Sequence, residues 1–542
     1  MTTTLYRNGS VYSPADPFAT ALLVVGDMVG WVGSEEAADA HVSSEHEVVD
    51  LDGALVTPAF VDAHAHVTET GLALTGVDLS TARSLAEALS RVEDAARRAG
   101  GRPVLGHGWD ERGWPEQRPP SMAELDRASY GGAVYLARVD VHSAVVSSAL
   151  AVATGLRDLD GWYGDGRVDR EAHAAARDAT RSSLTAGQRR ELQQVALTAA
   201  AAAGIGVVHE MSAPHIGTID DLRALVQLCA DEPLPEVVAY RGQLVASAEE
   251  AAELVAGLGL PGSAPLRGLA GDLCVDGSIG SRTAALRSPY TDAPGTSGFR
   301  YLQPEQIRDH VVACTQVRLQ AGFHVIGDAG VDAAVQGLTM AAEVVGAAAM
   351  RRSRHRLEHV EMLDDAGLAV LVDLGVHASV QPVFDAWWGG PDGLYAERLG
   401  AERALGMNRF AEMASAGVPL ALGSDSPVTP FAPWEALRAC AHHRTPAQRI
   451  SVRAAFLAHT RGAWRASGRD DGGVLAPGAP ATLAVWAPSD LLVQSPDDRL
   501  SAWSTDPRSG TPGLPDLAPG VVPPRCLRTV VRGRVAHDEL GR

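Results

Sequence analysis

The sequence contains no lysine: all 46 of its basic residues are arginine. No reaction step can therefore use a side-chain amine as nucleophile, base or carbamate. Lysine is ordinarily among the commonest residues. Compositional drift towards arginine, alanine and glycine would account for the bias, and the chemical consequence holds whatever its origin. Cysteine is scarce as well. Cys229, Cys274, Cys314, Cys440 and Cys526 are scattered without CxxC spacing, which excludes a cysteine zinc cluster and suits a reducing cytosol. No apolar run approaches the roughly 20 residues of a membrane span. The start "MTTTLYRNGS" lacks the basic and apolar regions of a signal peptide, so a cytoplasmic protein is expected. Positive charge is in deficit: the formal net charge of -20 argues against nucleic acid or an anionic membrane as partner. No G-x-S-x-G elbow follows a strand, which disfavours an α/β-hydrolase.

What is present reads as an ordinary globular chain, 46% hydrophobic and 21% charged, whose 542 residues suffice for one large α/β domain and a smaller one. Short β-type runs separated by glycine and aspartate turns fill the beginning ("TLYRNGSVYS", "TALLVVGDMVGWVG") and the end ("GVLAPGAPATLAVW", "CLRTVVRGRVAHDEL"). Paired together, these termini would make a small side domain. Between them, strand-like runs alternate with alanine-rich helical stretches, the pattern of a parallel sheet with crossover helices. Nine runs read as strands entering loops: "GALVTPAFVDAHAH", "GRPVLGHGWD", "GAVYLARVDVHS", "GIGVVHE", "LAGDLCVDGS", "GFHVIGD", "RHRLEHVE", "GVHASVQP" and "VPLALGSDSP". A closed (β/α)8 barrel needs eight, so one of the second and third is expected to belong to an insertion. The expected division is 1–57 and 472–542 for the side domain and 58–471 for the barrel, with an insertion around 106–200. Residues 155–185, polar and glycine-bearing, read either as a mobile lid or as a solvated loop.

The stretch "VDAHAHVTE" places His64 and His66 two apart on a strand, where both side chains face the same side. Alone, such a pair is weak evidence for metal. Further candidate ligands end later strands: His324 in "GFHVIGD", His359 in "RLEHVE" and Asp425 in "LALGSDSP". Catalytic groups of barrel enzymes gather at that face. Imidazoles with one carboxylate suit a divalent metal, zinc before iron or manganese.

The segments "TPAFVDAHAH", "DGSIGSRTAAL", "FHVIGDAGVDAA", "RHRLEHVEML" and "ALGSDSPV" resemble the signature segments of the amidohydrolase superfamily, and within it the YtcJ-like branch, the amidohydrolase 3 family. The resemblance covers nearly the whole chain and says nothing of the substrate. It implies an α/β fold, a metal-bearing (β/α)8 TIM-type barrel with a β-sandwich built from both termini. It implies that His64, His66, His324, His359 and Asp425 occupy metal and catalytic positions. One departure is plain. The family commonly carries a carbamylated lysine bridging two metals in a segment like "KLFADG"; this chain reads "DLCVDG", with Asp272 in that place. Arginine could not replace that lysine, because a guanidinium stays protonated. Asp272 is shorter by several bonds and would need backbone adjustment to bridge. Glu210 is a second carboxylate that could reach inward. A single ion on His64, His66, His324 and Asp425 is favoured, with His359 either a further ligand or a hydrogen-bond donor. A binuclear site bridged by Asp272 or Glu210 is the alternative.

The expected function is a metal-dependent hydrolase of a non-peptide carbon–nitrogen bond, an amide, N-formyl or cyclic amide. A zinc ion lowers the pKa of bound water to near 7, giving hydroxide for attack, and Asp425 shuttles the proton to the leaving nitrogen. Trp109, Asp110, His142, Asp276, Ser278, Arg282 and Gln381 are candidate substrate contacts, each with a structural reading beside it; Trp387 and Trp388 either line a pocket or pack outside. The expected partner is a small molecule, and self-association into a homo-oligomer is compatible with the sequence. Two competing functions stay open: deamination of an amino-heterocycle at a one-metal site, and a metal-stabilised barrel that has lost its chemistry and serves as a binding protein.

Overall fold

A computed structural model of the chain describes residues 2–182, 184–260, 266–494, 503–504 and 512–540. Eight parallel strands lie side by side: β1 (Phe60–Ala65), β2 (Ile205–Ser212), β3 (Glu236–Arg241), β4 (Gly268–Leu269), β5 (Gln320–Val325), β6 (Arg356–His359), β7 (His377–Val380) and β8 (Leu420–Leu422). The ends of the row meet. Ala65 bridges Ser426 in parallel, His66 N–H donates to the Ser426 carbonyl at 2.9 Å, and Asp425 N–H donates to the His64 carbonyl at 2.8 Å. The sheet thus curls into the expected barrel. Every residue of β1 and β2 is buried, as strands covered on both faces must be.

The strand assignment needs two corrections. Both "GRPVLGHGWD" and "GAVYLARVDVHS" lie outside the barrel, in a separate five-stranded sheet of Val77–Asp78, Val104–Trp109, Val134–Arg138, Ser143–Val146 and Arg167–Asp169. The barrel strand that sequence reading passed over is β3, "EVVAYR", whose charged ends and brevity make it look like a loop. The inserted sheet begins at Val77, earlier than 106. It is followed by the helix Arg170–Ser182, whereas the next helix, Ala186–Ala202, packs Ala196, Leu197 and Ala200 into the barrel's own core. Residues 155–182 are ordered into a 3-10 turn, a strand and that helix, and form neither a bare loop nor a solvated one; residue 183, within the stretch read as a lid, lies outside the described residues.

Both termini contribute to the side domain. Leu55–Pro58 pairs with Leu483–Trp486, which pairs with Cys526–Val531, and a second sheet carries Thr3–Arg7, Ala21–Val25, Met28–Gly33 and Glu47–Asp50. Tyr6, Leu22, Val24, Val56, Leu483 and Val530 share one apolar cluster between them, as a two-layer packing requires. Among the described residues no single helix is long and apolar enough to cross a membrane.

The barrel's interior is polar where aliphatic layers are usual. Arg356, fully buried on β6, donates to Glu358 from Nε at 2.5 Å and from Nη2 at 2.9 Å, to the Ala63 carbonyl at 2.7 Å and to His209 Nδ1 at 3.2 Å. Its guanidinium lies 4.9 Å from the Tyr240 ring centroid. This network ends directly beneath His64.

Candidate active site

His64 and His66 leave β1 on the same side and converge with two carboxylates at the mouth of the barrel. Asp425 Oδ1 lies 3.5 Å from His64 Nε2 and 3.2 Å from His66 Nε2. Asp272 Oδ1 lies 3.3 Å from His64 Nε2, and its Oδ2 lies 3.3 Å from His66 Nε2. Two sets of ligand atoms fall within 4.8 Å of one another, His64–His66–Asp425 and His64–Asp272–His359, and they share His64. His324 stands beside these sets, not within them: its Nδ1 is 3.8 Å from Asp272 Oδ1 and its ring centroid 4.5 Å from that of His359. The shorter reach of Asp272 is compensated by its backbone. Strand β4 stops at Leu269, and Gly271 takes φ +91°, where an added Cβ would meet the Met211 sulfur at 2.7 Å. That turn carries Asp272 into the mouth.

The ring nitrogens facing the cluster are left free by partners behind them. His64 Nδ1 sits 2.9 Å from Glu358 Oε2, so Nδ1–H donates and Nε2 keeps its lone pair. His359 Nδ1 donates to Gln381 Oε1 at 2.7 Å, and His324 Nε2 to the Gly277 carbonyl at 3.2 Å. Burial opposes ionisation of Glu358, but Arg356 and His64 hold its pKa at about 2. Glu358 and His359 are neighbours that would face opposite sides of a regular strand. His359 adopts φ +69° and Val360 φ +52°, a left-handed turn that brings both side chains inward. Asp425 is likewise left-handed, at φ +55°. Such conformations cost on the order of 1–3 kcal/mol each and persist where the surroundings enforce them.

The residues fit a divalent cation. His64 Nε2 and Asp272 Oδ1 are buried without a hydrogen-bond partner, a costly state unless another group satisfies them. Burial by itself would lower His66, yet Asp272 and Asp425 on either side pull its pKa up to about 10. A cation between those carboxylates would meet the same demand and leave the imidazole neutral, as a ligand must be. His64, His66, Asp272, Asp425 and His359 are the residues that would hold it.

A cavity of about 510 Å³ opens beside the cluster, reaching His66, Asp272, His324 and Asp425. His142, from the inserted sheet, lines it, with its ring centroid 5.1 Å from that of His324. Other sequence candidates are engaged elsewhere. Trp109 is core: its indole N–H donates to the Leu136 carbonyl at 2.9 Å and its ring packs in the insertion's apolar cluster. Asp110 pairs with Arg112 and Arg138. Asp276 is fully buried and accepts from the backbone N–H groups of Ala285, Ile326 and Gly327, bracing the loop after β4 against the end of β5. Ser278 donates to Asp140, and Arg282 pairs with Asp292 near the surface. Glu210 accepts from Val67 N–H at 2.7 Å and belongs to neither ligand set, because it caps the helix that follows β1. Gln381 orients His359. Trp388 packs in an apolar cluster and Trp387 is half exposed.

Sequence reading missed Glu358 and Asp62. Asp62 Oδ1 accepts from Ser424 N–H at 3.0 Å and His64 N–H at 3.2 Å, tying the first strand's end to the last. A buried acid two residues before His64 was the available signal.

A family model described as "Amidohydrolase family" matches residues 47–537. The chain belongs to the amidohydrolase family. It is 27% identical over 521 residues to the protein LONG AFTER FAR-RED 3 of Arabidopsis thaliana, covering 89% of this chain and 86% of that one. It is 25% identical to the amidohydrolase YtcJ of Bacillus subtilis, over 79% and 82% of the two chains. It is 24% identical to the N-substituted formamide deformylase of Arthrobacter pascens, over 86% and 90%. Among solved structures, a metal-dependent hydrolase of Pyrococcus furiosus superposes with a TM-score of 0.70 at 28% identity, covering 89% of this chain and 98% of that one. As a member of this family the chain is a hydrolase, and the resemblance read from its segments holds.

Proposed function

We propose that this enzyme hydrolyses a non-peptide carbon–nitrogen bond, an amide, N-formyl or cyclic amide, of a small molecule held in the 510 Å³ cavity. The observation that carries the reading is the convergence of His64, His66, Asp272 and Asp425, with nitrogen–oxygen distances of 3.2–3.5 Å, at one edge of that cavity. The likeness to a formamide deformylase favours formamides within the class. A divalent ion, zinc by its ligand chemistry, supplies Lewis acidity towards water and towards the carbonyl oxygen when bound.

The chain's own groups do the rest. Asp425 takes the proton of the attacking water and returns it to the leaving nitrogen, which cannot depart as an anion. Its carboxylate faces both imidazoles of the first strand and the cavity, so one acid reaches ligand and substrate sides alike. Glu358 and Gln381 fix the tautomers of His64 and His359, which leaves both Nε2 atoms as acceptors suited to ligation. That arrangement favours His359 as a ligand over a donor to substrate oxygen. Asp272 contributes the central carboxylate that a carbamate would supply elsewhere in the family.

The test pairs metal analysis of protein purified without chelators with a panel of amides and formamides scored for amine and carboxylate release. About one ion per chain is expected; two would overturn the single-ion reading. Asp425→Asn should lower kcat by about 100-fold to 10,000-fold. An undiminished variant would remove Asp425 from proton transfer. Ammonia release from amino-heterocycles alone would make the enzyme a deaminase.

A further inference from the structure

The helix Arg170–Ser182 presents Arg170, His173, Ala174 and Arg177 to the cavity, the i, i+3, i+4, i+7 positions of one helical face. Two of these are cations, and they differ in their partners. Arg170 is neutralised by Asp160 and Asp169 and lies over the Phe299 ring. Arg177 has no carboxylate within ion-pairing distance among the described residues. Its Nη2 donates to the Val141 carbonyl at 2.6 Å, its guanidinium also hydrogen-bonds the Tyr135 hydroxyl, and its Nε is buried with no hydrogen-bond partner. Glu69, which lines the same cavity, pairs with Arg181 at 2.6 Å and attracts Arg177 from farther off. Beside Arg177 the wall carries His142, His173 and His215, with Glu171 on the same helix and the cluster acids Asp272 and Asp425 also lining the cavity.

A partly buried guanidinium with no carboxylate at contact distance and one donor unsatisfied is expensive unless something pairs with it. Here the open side is the cavity, and the protein as a whole is strongly acidic, so a local cation is what an anionic ligand would need in order to enter. Resting on the reading that this cavity holds a carbon–nitrogen substrate, we propose that Arg177 anchors a carboxylate of that substrate. The enzyme then acts on N-acyl or N-formyl compounds that carry an anionic group at the end remote from the scissile bond. A guanidinium binds a carboxylate through paired N–H donors, which fixes orientation as well as affinity. Arg177 is a specificity-determining residue in this scheme and takes no part in bond cleavage. Because it lies on the inserted segment, substrate choice and bond chemistry come from different parts of the chain.

The test uses N-formyl ω-amino acids of two to six carbons and their isosteric carboxamides, on zinc-reconstituted full-length protein. The carboxylate member of the best pair should exceed its carboxamide in kcat/KM by about 100-fold, the size of a charged hydrogen-bonded pair. Arg177→Met should bring that ratio to near one, chiefly through loss of turnover of the carboxylate. Arg177→Lys should keep part of the preference. A misfolded variant would lose both substrates, so the ratio separates lost anchoring from lost structure. Calorimetric binding of the same compounds gives a second readout. Carboxylates bound by the parent protein but not by Arg177→Met, without hydrolysis of either series, would keep the anchor and sink the carbon–nitrogen reading. A ratio near one in the parent protein, a ratio unchanged in Arg177→Met, or the absence of both binding and turnover would overturn the anchor.

Discussion

Replacing Glu358 with glutamine tests how the barrel interior supports the cluster above it. The Glu358 carboxylate receives three donors: Arg356 Nε and Nη2 and His64 Nδ1, at 2.5, 2.9 and 2.9 Å. An amide has one acceptor oxygen, so its NH2 must face one of those donors. Removing the charge also leaves Arg356 buried without a counterion, and breaking a buried pair costs about 3–5 kcal/mol. The second effect is on metal. Loss of the partner that orients a ligating histidine typically lowers metal affinity about 10-fold to 100-fold. The two effects separate in a double variant. Arg356→Met with Glu358→Leu removes both charges, and such apolar replacement is often neutral or stabilising. It should regain most of the denaturant stability, but His64 still lacks its acceptor, so zinc affinity measured by chelator competition stays low. Glu358→Gln with parental zinc affinity, or a double variant that recovers affinity together with stability, would refute the orienting role.

Acid sensitivity follows from histidines remote from the cluster. Burial lowers His310 and His459 to about 4 and His355 to about 3, against an ordinary value of 6.5. Below pH 6.5 the unfolded chain binds protons that the folded one refuses, so each group removes about 1.4 kcal/mol per pH unit until its folded pKa is reached. Denaturant midpoints should therefore fall steadily from pH 6.5 towards 4, and a flat profile over that range would contradict the burial. Trp109→Phe should lower stability by about 1–2 kcal/mol, through the lost indole hydrogen bond and a small cavity, with KM unchanged. A large rise in KM would return Trp109 to the substrate pocket.

Most of the site was legible because its residue types are rare and sit where strands end. His64, His66, His324, His359 and Asp425 could be picked out as polar residues closing apolar runs, and the barrel brings them to one face. Asp272 was visible as a substitution, but its reach depends on the turn at Gly271, which no residue pattern discloses. Glu358 was hidden by strict alternation: beside an inward His359 it should face out, and only a left-handed backbone lets both turn in. The strands Val104–Trp109 and Val134–Arg138 carry the same period-2 signal as barrel strands, since the signal records burial and not the identity of the neighbour. Arg177 sat in a segment polar enough to pass for solvated loop, because a cavity-facing helix side and a water-facing one have similar composition.

The central acid of this cluster is encoded by the gene. Where a carbamate completes the site, assembly depends on dissolved carbon dioxide and on pH, because the modification forms reversibly. With Asp272 in that place, the proposed site would need no such modification to complete its donor set. On that reading, its readiness would be uncoupled from the bicarbonate level of its surroundings.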